Sequence, residues 1–312
     1  MATAAGAGPN SMRSLHIALR RCHMARMSEQ IVGVAQMQHP LVRRLLAGNP
    51  SPFTYTGTQT YLIGGSDIAV IDPGPDLPDH VDAIVSAIGG RPVRAIVCTH
   101  THRDHSPAAA ELRARTGAPI IGCAPLVLDD SGPRADASFD RDYTPDEAMA
   151  DGAAIAGDGW TLQAIHTPGH TSNHICYALP EAGALFTGDH VMGWSTSVVV
   201  PPDGDMAHYL ESLERLASRD RDEIYYSAHG DPIERPQRFV RGLIGHRRQR
   251  EGQILRLLER RVGDIPDMVL QMYAGIDPRL HRAAGLSVLA HLIDLETRGI
   301  VRKDDALWSL AA

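Results

Sequence analysis

Thr99-His100-Thr101-His102-Arg103-Asp104-His105 places four side chains able to bind a metal within six consecutive positions. Three offer imidazole nitrogen and one offers carboxylate oxygen, a donor mix that suits a borderline divalent cation. Upstream, Val93 to Cys98 reads as a buried strand. Downstream, Ser106-Pro107 through Arg115 carries helix signals: Ser at the N-cap, Pro in the first turn and Gly117 past the end. The pattern predicts a strand, a ligand-rich loop and a helix. A loop held at both ends by regular structure can aim several side chains at one point.

One loop does not close two metal shells, so further ligands are expected downstream. His170 lies in Thr167-Pro168-Gly169-His170-Thr171, Asp189 in Phe186-Thr187-Gly188-Asp189-His190, and His229 in Ser227-Ala228-His229-Gly230-Asp231. Each follows a short apolar run: Leu162 to Ile165, Ala184 to Phe186, and Ile224 to Tyr226. Each is flanked by Gly or Pro, which allow sharp turns at strand ends. Taken singly, each His is an ordinary surface or core residue; behind the heptad they form an ordered set. His174, four residues after His170, is a candidate to reach a substrate oxygen; the alternative is a surface histidine at a strand end.

With these residues the chain resembles the metallo-β-lactamase superfamily. The resemblance implies an α/β fold, an αβ/βα sandwich with a metal site at the top of two facing sheets. It implies a first metal on His100, His102 and His170, a second on Asp104, His105 and His229, and Asp189 bridging the two. Asp72, in Val70-Ile71-Asp72-Pro73-Gly74, matches an early aspartate of the family; it would orient a ligand imidazole. A turn-initiating Asp is the alternative. Asn49-Pro50-Ser51-Pro52-Phe53, Thr56-Gly57-Thr58-Gln59-Thr60-Tyr61-Leu62 and Ile224-Tyr225-Tyr226 are similar to the lactamase-β-like-protein-2 family, from about Gly48 to the C-terminus. That family carries a winged-helix-like domain after the metal-binding fold, and an animal member is a single-strand-directed endoribonuclease. Gln59, where Asn is expected, and His190, after the bridging Asp, depart from the pattern without removing a ligand.

The chemistry implied is hydrolysis. Two ions roughly 3.5–4 Å apart polarise a shared water, and the bridging hydroxide attacks a carbonyl or phosphoryl centre. Asp104 both ligates and relays a proton. Two zinc ions are expected; manganese and iron use the same nitrogen and oxygen donors. His102 stands where flavodiiron relatives carry Glu, which argues against redox chemistry. Asp189 is missing from subclass B3 β-lactamases, which points to the thioesterase and phosphodiesterase side. Three functions are then open: cleavage of single-stranded RNA, hydrolysis of a small thioester, lactone or β-lactam, and a winged-helix binding protein whose metal domain is structural.

The 312 residues suit one large domain and one small one. The expected division is 1–28 outside the fold, 29–236 as the metallo-β-lactamase domain, and 237–312 as a linker helix and winged-helix-like domain. Residues 1–28 hold Arg13, Arg20, Arg21 and Arg26 and no acidic residue, the composition of a transit peptide or of a start placed before Met24 or Met27. Val81–Gly89 and Met206–Ala217 read as helices and Leu62–Ile71 as a hairpin. The acidic segment 129–151 is expected to wrap the mouth of the site. At the C-terminus, Arg235–Arg261, Asp267–Tyr273 and Leu280–Arg298 read as helices, and Gly299–Val301 with Leu307-Trp308 as a hairpin wing. Arg279, Arg282, Arg302 and Lys303 fit nucleic-acid contact; the alternative is a packing appendage and a homodimer.

The net charge of -7 gives no whole-chain case for nucleic acid. Cys22, Cys98, Cys123 and Cys176 have no paired spacing, so no disulfide framework is expected. No apolar run reaches transmembrane length and no secretory signal opens the chain, so a cytoplasmic protein without a membrane partner is expected.

Overall fold

The computed structural model describes residues 30–128, 139–275 and 277–311, with the side chain of Arg279 not among them. The extension 1–28, Cys22 and residues 129–138 of the acidic segment therefore lie outside the described residues. From Gly33 onward the chain forms one compact unit.

A seven-stranded sheet opens the fold, with its strands in sequence order. These are β1 (Gln36–His39), β2 (Val42–Leu46), β3 (Gln59–Ile63), β4 (Ile68–Ile71), β5 (Val93–Cys98), β6 (Ile120–Gly122) and β7 (Glu147–Ala148). The hairpin expected at Leu62–Ile71 is the β3–β4 turn. From β4 onward the pairs are parallel. Helix α1 (Pro78–Ile88) connects β4 to β5, and α2 (Ala108–Thr116) connects β5 to β6. In α1, Val81, Ile84 and Ile88 recur on one face and are buried against the sheet, and Gly89 closes the helix in the left-handed region at φ 63°. Ser106 does not cap α2 as its position suggested. The residue before the helix is Pro107, and the Ser106 hydroxyl donates to Asp140 Oδ2 at 2.7 Å.

The facing sheet holds β8 (Ala154–Gly157), β9 (Trp160–His166), β10 (Ile175–Leu179), β11 (Ala184–Gly188) and β12 (Ile224–Ser227), in the order β12-β11-β10-β9-β8. Its central strands are buried on both faces, and their period of two sorts the side chains. Trp160, Leu162, Ala164, Tyr177, Leu179, Phe186 and Tyr226 join the core shared with the first sheet. Ile165, Cys176, Ala178, Leu185 and Tyr225 point the other way, into a second core roofed by α3 (Met206–Ala217) and α4 (Pro236–Glu259). Asp205 caps α3 by accepting the His208 N–H at 2.8 Å.

The C-terminal part has its own core. The far half of α4 (Ile254, Leu257, Leu258) meets α5 (Ile265–Met272), α6 (His281–Thr297) and the hairpin β13 (Val301–Asp304) and β14 (Leu307–Leu310). Val301 and Trp308 carry the wing onto the helices. The hairpin turn read from the sequence spans Arg302–Ala306; in the structure Arg302 and Lys303 lie inside β13 and the turn is Asp305-Ala306. The boundary expected at 236/237 falls at the first turn of α4, whose near half (Val240, Leu243, Ile244) packs into the second core. Cys98, Cys123 and Cys176 are free and buried. Among the described residues no helix is long and apolar enough to cross a membrane.

Candidate metal centre

Five strands end at one rim. Asp72 follows β4, the heptad follows β5, His170 follows β9, Asp189 follows β11 and His229 follows β12. The structure gathers all seven expected ligands there in two groups that share Asp189. One group is His100, His102, His170 and Asp189; the other is Asp104, His105, Asp189 and His229.

In the first group His100 Nε2 lies 2.9 Å from His102 Nδ1, and His170 Nε2 lies 3.2 Å from the same atom. Asp189 Oδ2 is 3.7 Å from His170 Nε2. In the second, His105 Nε2 stands 3.4 Å from Asp104 Oδ2 and 3.6 Å from Asp189 Oδ2. His229 Nε2 is 3.2 Å from Asp104 Oδ2 and 3.2 Å from Asp189 Oδ1. Ligand atoms on a tetrahedron with bonds of about 2.0–2.1 Å are about 3.3 Å apart, so these spacings fit a divalent ion at the centre of each group.

The far sides of the rings support the same fit. His100 Nδ1 meets Thr99 Oγ1 at 3.0 Å, and Thr99 Oγ1 in turn donates to Asp72 Oδ2 at 2.8 Å. His105 Nδ1 meets Asp72 Oδ2 at 2.9 Å, His170 Nδ1 meets the Val198 carbonyl at 2.6 Å, and His229 Nδ1 meets the Gly57 carbonyl at 3.1 Å. Each acceptor holds the proton on Nδ1 and leaves the Nε2 lone pair aimed into the cluster, the arrangement that orients metal-binding imidazoles. Asp72 thus takes the orienting role expected of it. Its backbone sits in the left-handed region at φ 48°, which Asp tolerates better than most residues, and its Oδ1 accepts the Thr99 N–H at 2.7 Å.

Charge divides the two groups. Burial, then the neighbouring imidazoles, push His100 well below the usual histidine range, and burial with His102 brings His170 to about 4. The second group behaves in the opposite sense. Burial lowers His105 and His229, but the Asp104 and Asp189 carboxylates outweigh it, raising His105 well above its ordinary value and His229 to about 10. Burial raises both carboxylates, yet their imidazole neighbours hold them well below the carboxylate range. Without a metal this group keeps its charge balanced with protons; a dication supplies the same balance.

His174 is not brought to the cluster's open side. It is 1% exposed, its Nδ1 is bound to Thr167 Oγ1 at 2.9 Å, and its ring packs 5.2 Å from that of His100. Gly188, at φ 49°, makes room for it: a Cβ there would lie 2.7 Å from His174 Nε2. His190 is also fully buried, against the Tyr209 ring at 4.7 Å. Gln59 is a buried brace. It donates to the Gly230 carbonyl and accepts the Tyr61 hydroxyl at 2.8 Å, tying β3 to the His229 turn.

Sequence reasoning missed the supports of the ligand loops. Asn49 Nδ2 donates to Thr58 Oγ1 at 2.9 Å, which reaches Asp104 Oδ2 at 3.4 Å. Ser197 Oγ donates to the Asp189 carbonyl at 2.6 Å, and the guanidinium of Arg247, from α4, donates to the Ser197 carbonyl. Only Asn49 and Thr58 carried a signal, through the motif similarity around them.

Above the cluster opens a cleft of about 570 Å³. His102, Asp104, His170, Asp189 and His229 form its floor, and Phe53, Phe139, Met192, Val198 and Val200 form apolar walls. Arg282, Ala283 and Leu286 of α6 complete it. Phe139, within the acidic segment, bridges to His102 and, among the described residues, is the part of that segment that lines the cleft.

A two-sheet sandwich with two groups of His and Asp on its rim defines the class: a metal-dependent hydrolase. Residues 54–229 match the metallo-beta-lactamase superfamily and residues 265–308 the beta-lactamase associated winged helix domain. The chain belongs to the metallo-beta-lactamase superfamily. It is 30% identical over 279 residues to the beta-lactamase-like protein 2 homolog of Drosophila melanogaster, covering 84% of this chain and 89% of that one. It is 32% identical over 226 residues to an atrochrysone carboxyl ACP thioesterase of a Cryptosporiopsis species, covering 70% of this chain and 63% of the relative. A metallo-beta-lactamase family protein of Thermus thermophilus shares the fold, with a TM-score of 0.71, 22% identity, and coverage of 88% of this chain and 100% of that one.

Proposed function

We propose that this chain hydrolyses an acyl bond of the thioester class in a small substrate with an apolar body, using two zinc ions. His100, His102 and His170 would hold one ion, Asp104, His105 and His229 the other, and Asp189 would contact both. The observation that carries this reading is the cleft: about 570 Å³ of mostly apolar wall directly over the ligand atoms, the size and character of a small-molecule site. When bound, the ions would supply an activated water and polarise the carbonyl. Nitrogen and oxygen donors without thiolate suit zinc and also accommodate manganese or iron.

The chain's own residues have separable tasks. Phe53, Phe139 and Val200 hold the acyl part and keep bulk water from it. Asp104 is the carboxylate with access to substrate, its side chain 25% exposed against 12% for Asp189. It takes a proton from the attacking water, and the departing thiolate receives one as the C–S bond breaks and the C–O bond forms. His174, walled off behind His100, positions that ring and touches no substrate. A purely structural metal domain is disfavoured because structural metal sites are closed, whereas this cluster floors an open cleft.

Cleavage of single-stranded RNA is the second reading. It is favoured by two guanidinium groups, Arg103 and Arg282, on the cleft wall. The test is a parallel assay of metal-loaded protein on an S-acyl thioester, single-stranded RNA and a chromogenic β-lactam, with elemental analysis beside it. Thioester turnover with more than one zinc per chain is expected. RNA cleavage without thioester turnover would replace the first reading by the second, and a stable single equivalent of metal would remove the dinuclear arrangement.

A further inference from the structure

The cleft borrows one wall from the C-terminal core. Arg282, Ala283 and Leu286 stand at i, i+1 and i+4 on α6, which packs into the winged-helix core and not between the two sheets. This spacing puts them on one side of the helix. Ala283 and Leu286 extend the apolar surface of Val198 and Val200.

Arg282 is a different kind of group. It is exposed, and among the described residues it makes no hydrogen bond or ion pair. The other guanidinium in the cleft is engaged: Arg103 Nε donates to the Phe139 carbonyl at 3.3 Å. The carboxylates of the cleft are engaged too. Asp104 and Asp189 face the imidazoles, and Asp203 Oδ2 accepts the Ser172 N–H at 3.1 Å. A free guanidinium on the wall of this cleft presents a rigid fork of donors that matches a carboxylate or a phosphate.

We propose that Arg282 is a specificity-determining residue of this site, and that it binds an anionic group, a phosphate or a carboxylate, on the thiol portion of the substrate. The acyl portion then lies against Phe53, Phe139 and Val200 with its carbonyl over the metal ligands. The C-terminal domain thereby selects which thioester enters. This inference rests on the acyl-hydrolase reading, since it assigns the two ends of the substrate to the two kinds of wall.

The test uses the full metal-loaded chain and three thioesters with one common acyl group: S-acyl pantetheine, which is neutral, S-acyl 4′-phosphopantetheine and S-acyl glutathione. The readout is the ratio of KM values, anionic to neutral, in wild type, Arg282→Ala, Arg282→Lys and Arg282→Glu. One charge-assisted contact from an exposed guanidinium on the cleft wall predicts about a tenfold lower KM for an anionic thioester. Arg282→Ala should abolish the preference, Arg282→Lys restore part of it and Arg282→Glu invert it. A preference for 4′-phosphopantetheine assigns a phosphate subsite; a preference for glutathione assigns a carboxylate subsite. Equal KM values in wild type, or a preference that survives Arg282→Ala, would overturn the proposal and leave the acyl-hydrolase reading intact. If wild type hydrolyses none of the three, that reading fails. Arg282 is then judged by equilibrium titration with the S-alkyl thioethers of 4′-phosphopantetheine and glutathione against that of pantetheine. A tenfold difference lost in Arg282→Ala keeps the anion subsite, and no difference removes it.

Discussion

Asp72→Asn tests whether the aim of His105 is set from behind the cluster. The Asp72 carboxylate, 2% exposed, accepts three donors: Thr99 N–H on Oδ1, and the Thr99 hydroxyl and His105 Nδ1 on Oδ2. Asparagine keeps the shape and tolerates the left-handed backbone, but offers one oxygen and one NH2. With its oxygen toward the Thr99 N–H, the NH2 faces His105 Nδ1–H. The ring can escape only by moving its proton to Nε2, where it blocks the lone pair aimed at the second group. With the amide turned round, His105 is kept but the buried Thr99 N–H meets another donor. Either mismatch costs about 1–3 kcal/mol. In the first case the loss appears as about 10–100-fold weaker binding of one metal equivalent. In the second it appears as reduced stability of the metal-free fold. Chelator competition and urea unfolding of the stripped protein read the two separately. If Asp72→Asn bound both equivalents as tightly as wild type and unfolded at the same urea concentration, the orienting role given to Asp72 would be wrong.

Asp104→Asn should keep the His100, His102 and His170 group loaded yet lose about 10²–10⁴-fold in turnover, because that carboxylate is both ligand and proton acceptor; turnover at the wild-type rate would refute the assignment. The metal-free protein should lose stability as pH rises. The folded pKa of His229 lies near 10, above its unfolded value, so its contribution is complete below about 6.5 and lost on passing about 10. Urea unfolding at pH 7 and pH 9.5 checks this, and equal or greater stability at pH 9.5 would contradict it. Gly188→Ala should cost about 2–5 kcal/mol, since the residue sits at φ 49° and its Cβ would lie 2.6 Å from Thr99 Oγ1; a melting temperature within a degree of wild type would exclude that packing. Arg302→Glu combined with Lys303→Glu should leave thioester turnover unchanged. A selective fall in RNA binding, with a flatter dependence on salt, would instead assign the wing to nucleic acid.

The His and Asp residues that the fold gathers into two groups were legible because each is announced by its own neighbours. A strand-like run followed by a His or Asp beside a Gly or Pro recurs at residues 162–170, 184–189 and 224–230, and such local signals survive without knowledge of the fold. Which of the two cores each residue of β9 to β12 enters was not readable, because runs such as Ile175 to Leu179 are apolar throughout and show no alternation. His174 shows where local reading ends. Its position before β10 was visible, but the direction of its ring depends on Gly188 and Thr167, which reach it from elsewhere in the chain. Ser106 had the right chemistry for a cap, and Asp140, 34 residues on, claimed the hydroxyl. Arg282 could be singled out by charge alone. That it faces a cleft floored by His102 and His229 is a property of how α6 docks, and no spacing in the sequence encodes it.

The C-terminal part reaches the metal cluster by two routes, and this limits what its removal can reveal. One route is the wall of the cleft formed by α6. The other runs through α4, a helix of about 36 Å that belongs to two cores at once. Near its middle Arg247 is 3% exposed with its guanidinium 5.1 Å over the Tyr209 ring, 3.5 Å from Ser287 Oγ on α6, and bonded to the Ser197 carbonyl. Ser197 in turn holds the carbonyl of Asp189, the residue both ligand groups share. A chain ending near Arg261 keeps Arg247 but loses Ser287, Arg282 and Leu286, so hydrolysis of thioester and of RNA would fall together under either reading. The wing charges are the separable part. Arg302 is paired with Asp304 at 3.0 Å and Lys303 lies 5.7 Å from the Trp308 ring, on the outer hairpin and away from the cleft-lining residues. Reversing them alters what a polyanion meets on the surface and leaves Arg247, Ser197 and the α6 wall in place. Point changes on the wing can therefore divide an RNA enzyme from a thioester hydrolase, and truncation cannot.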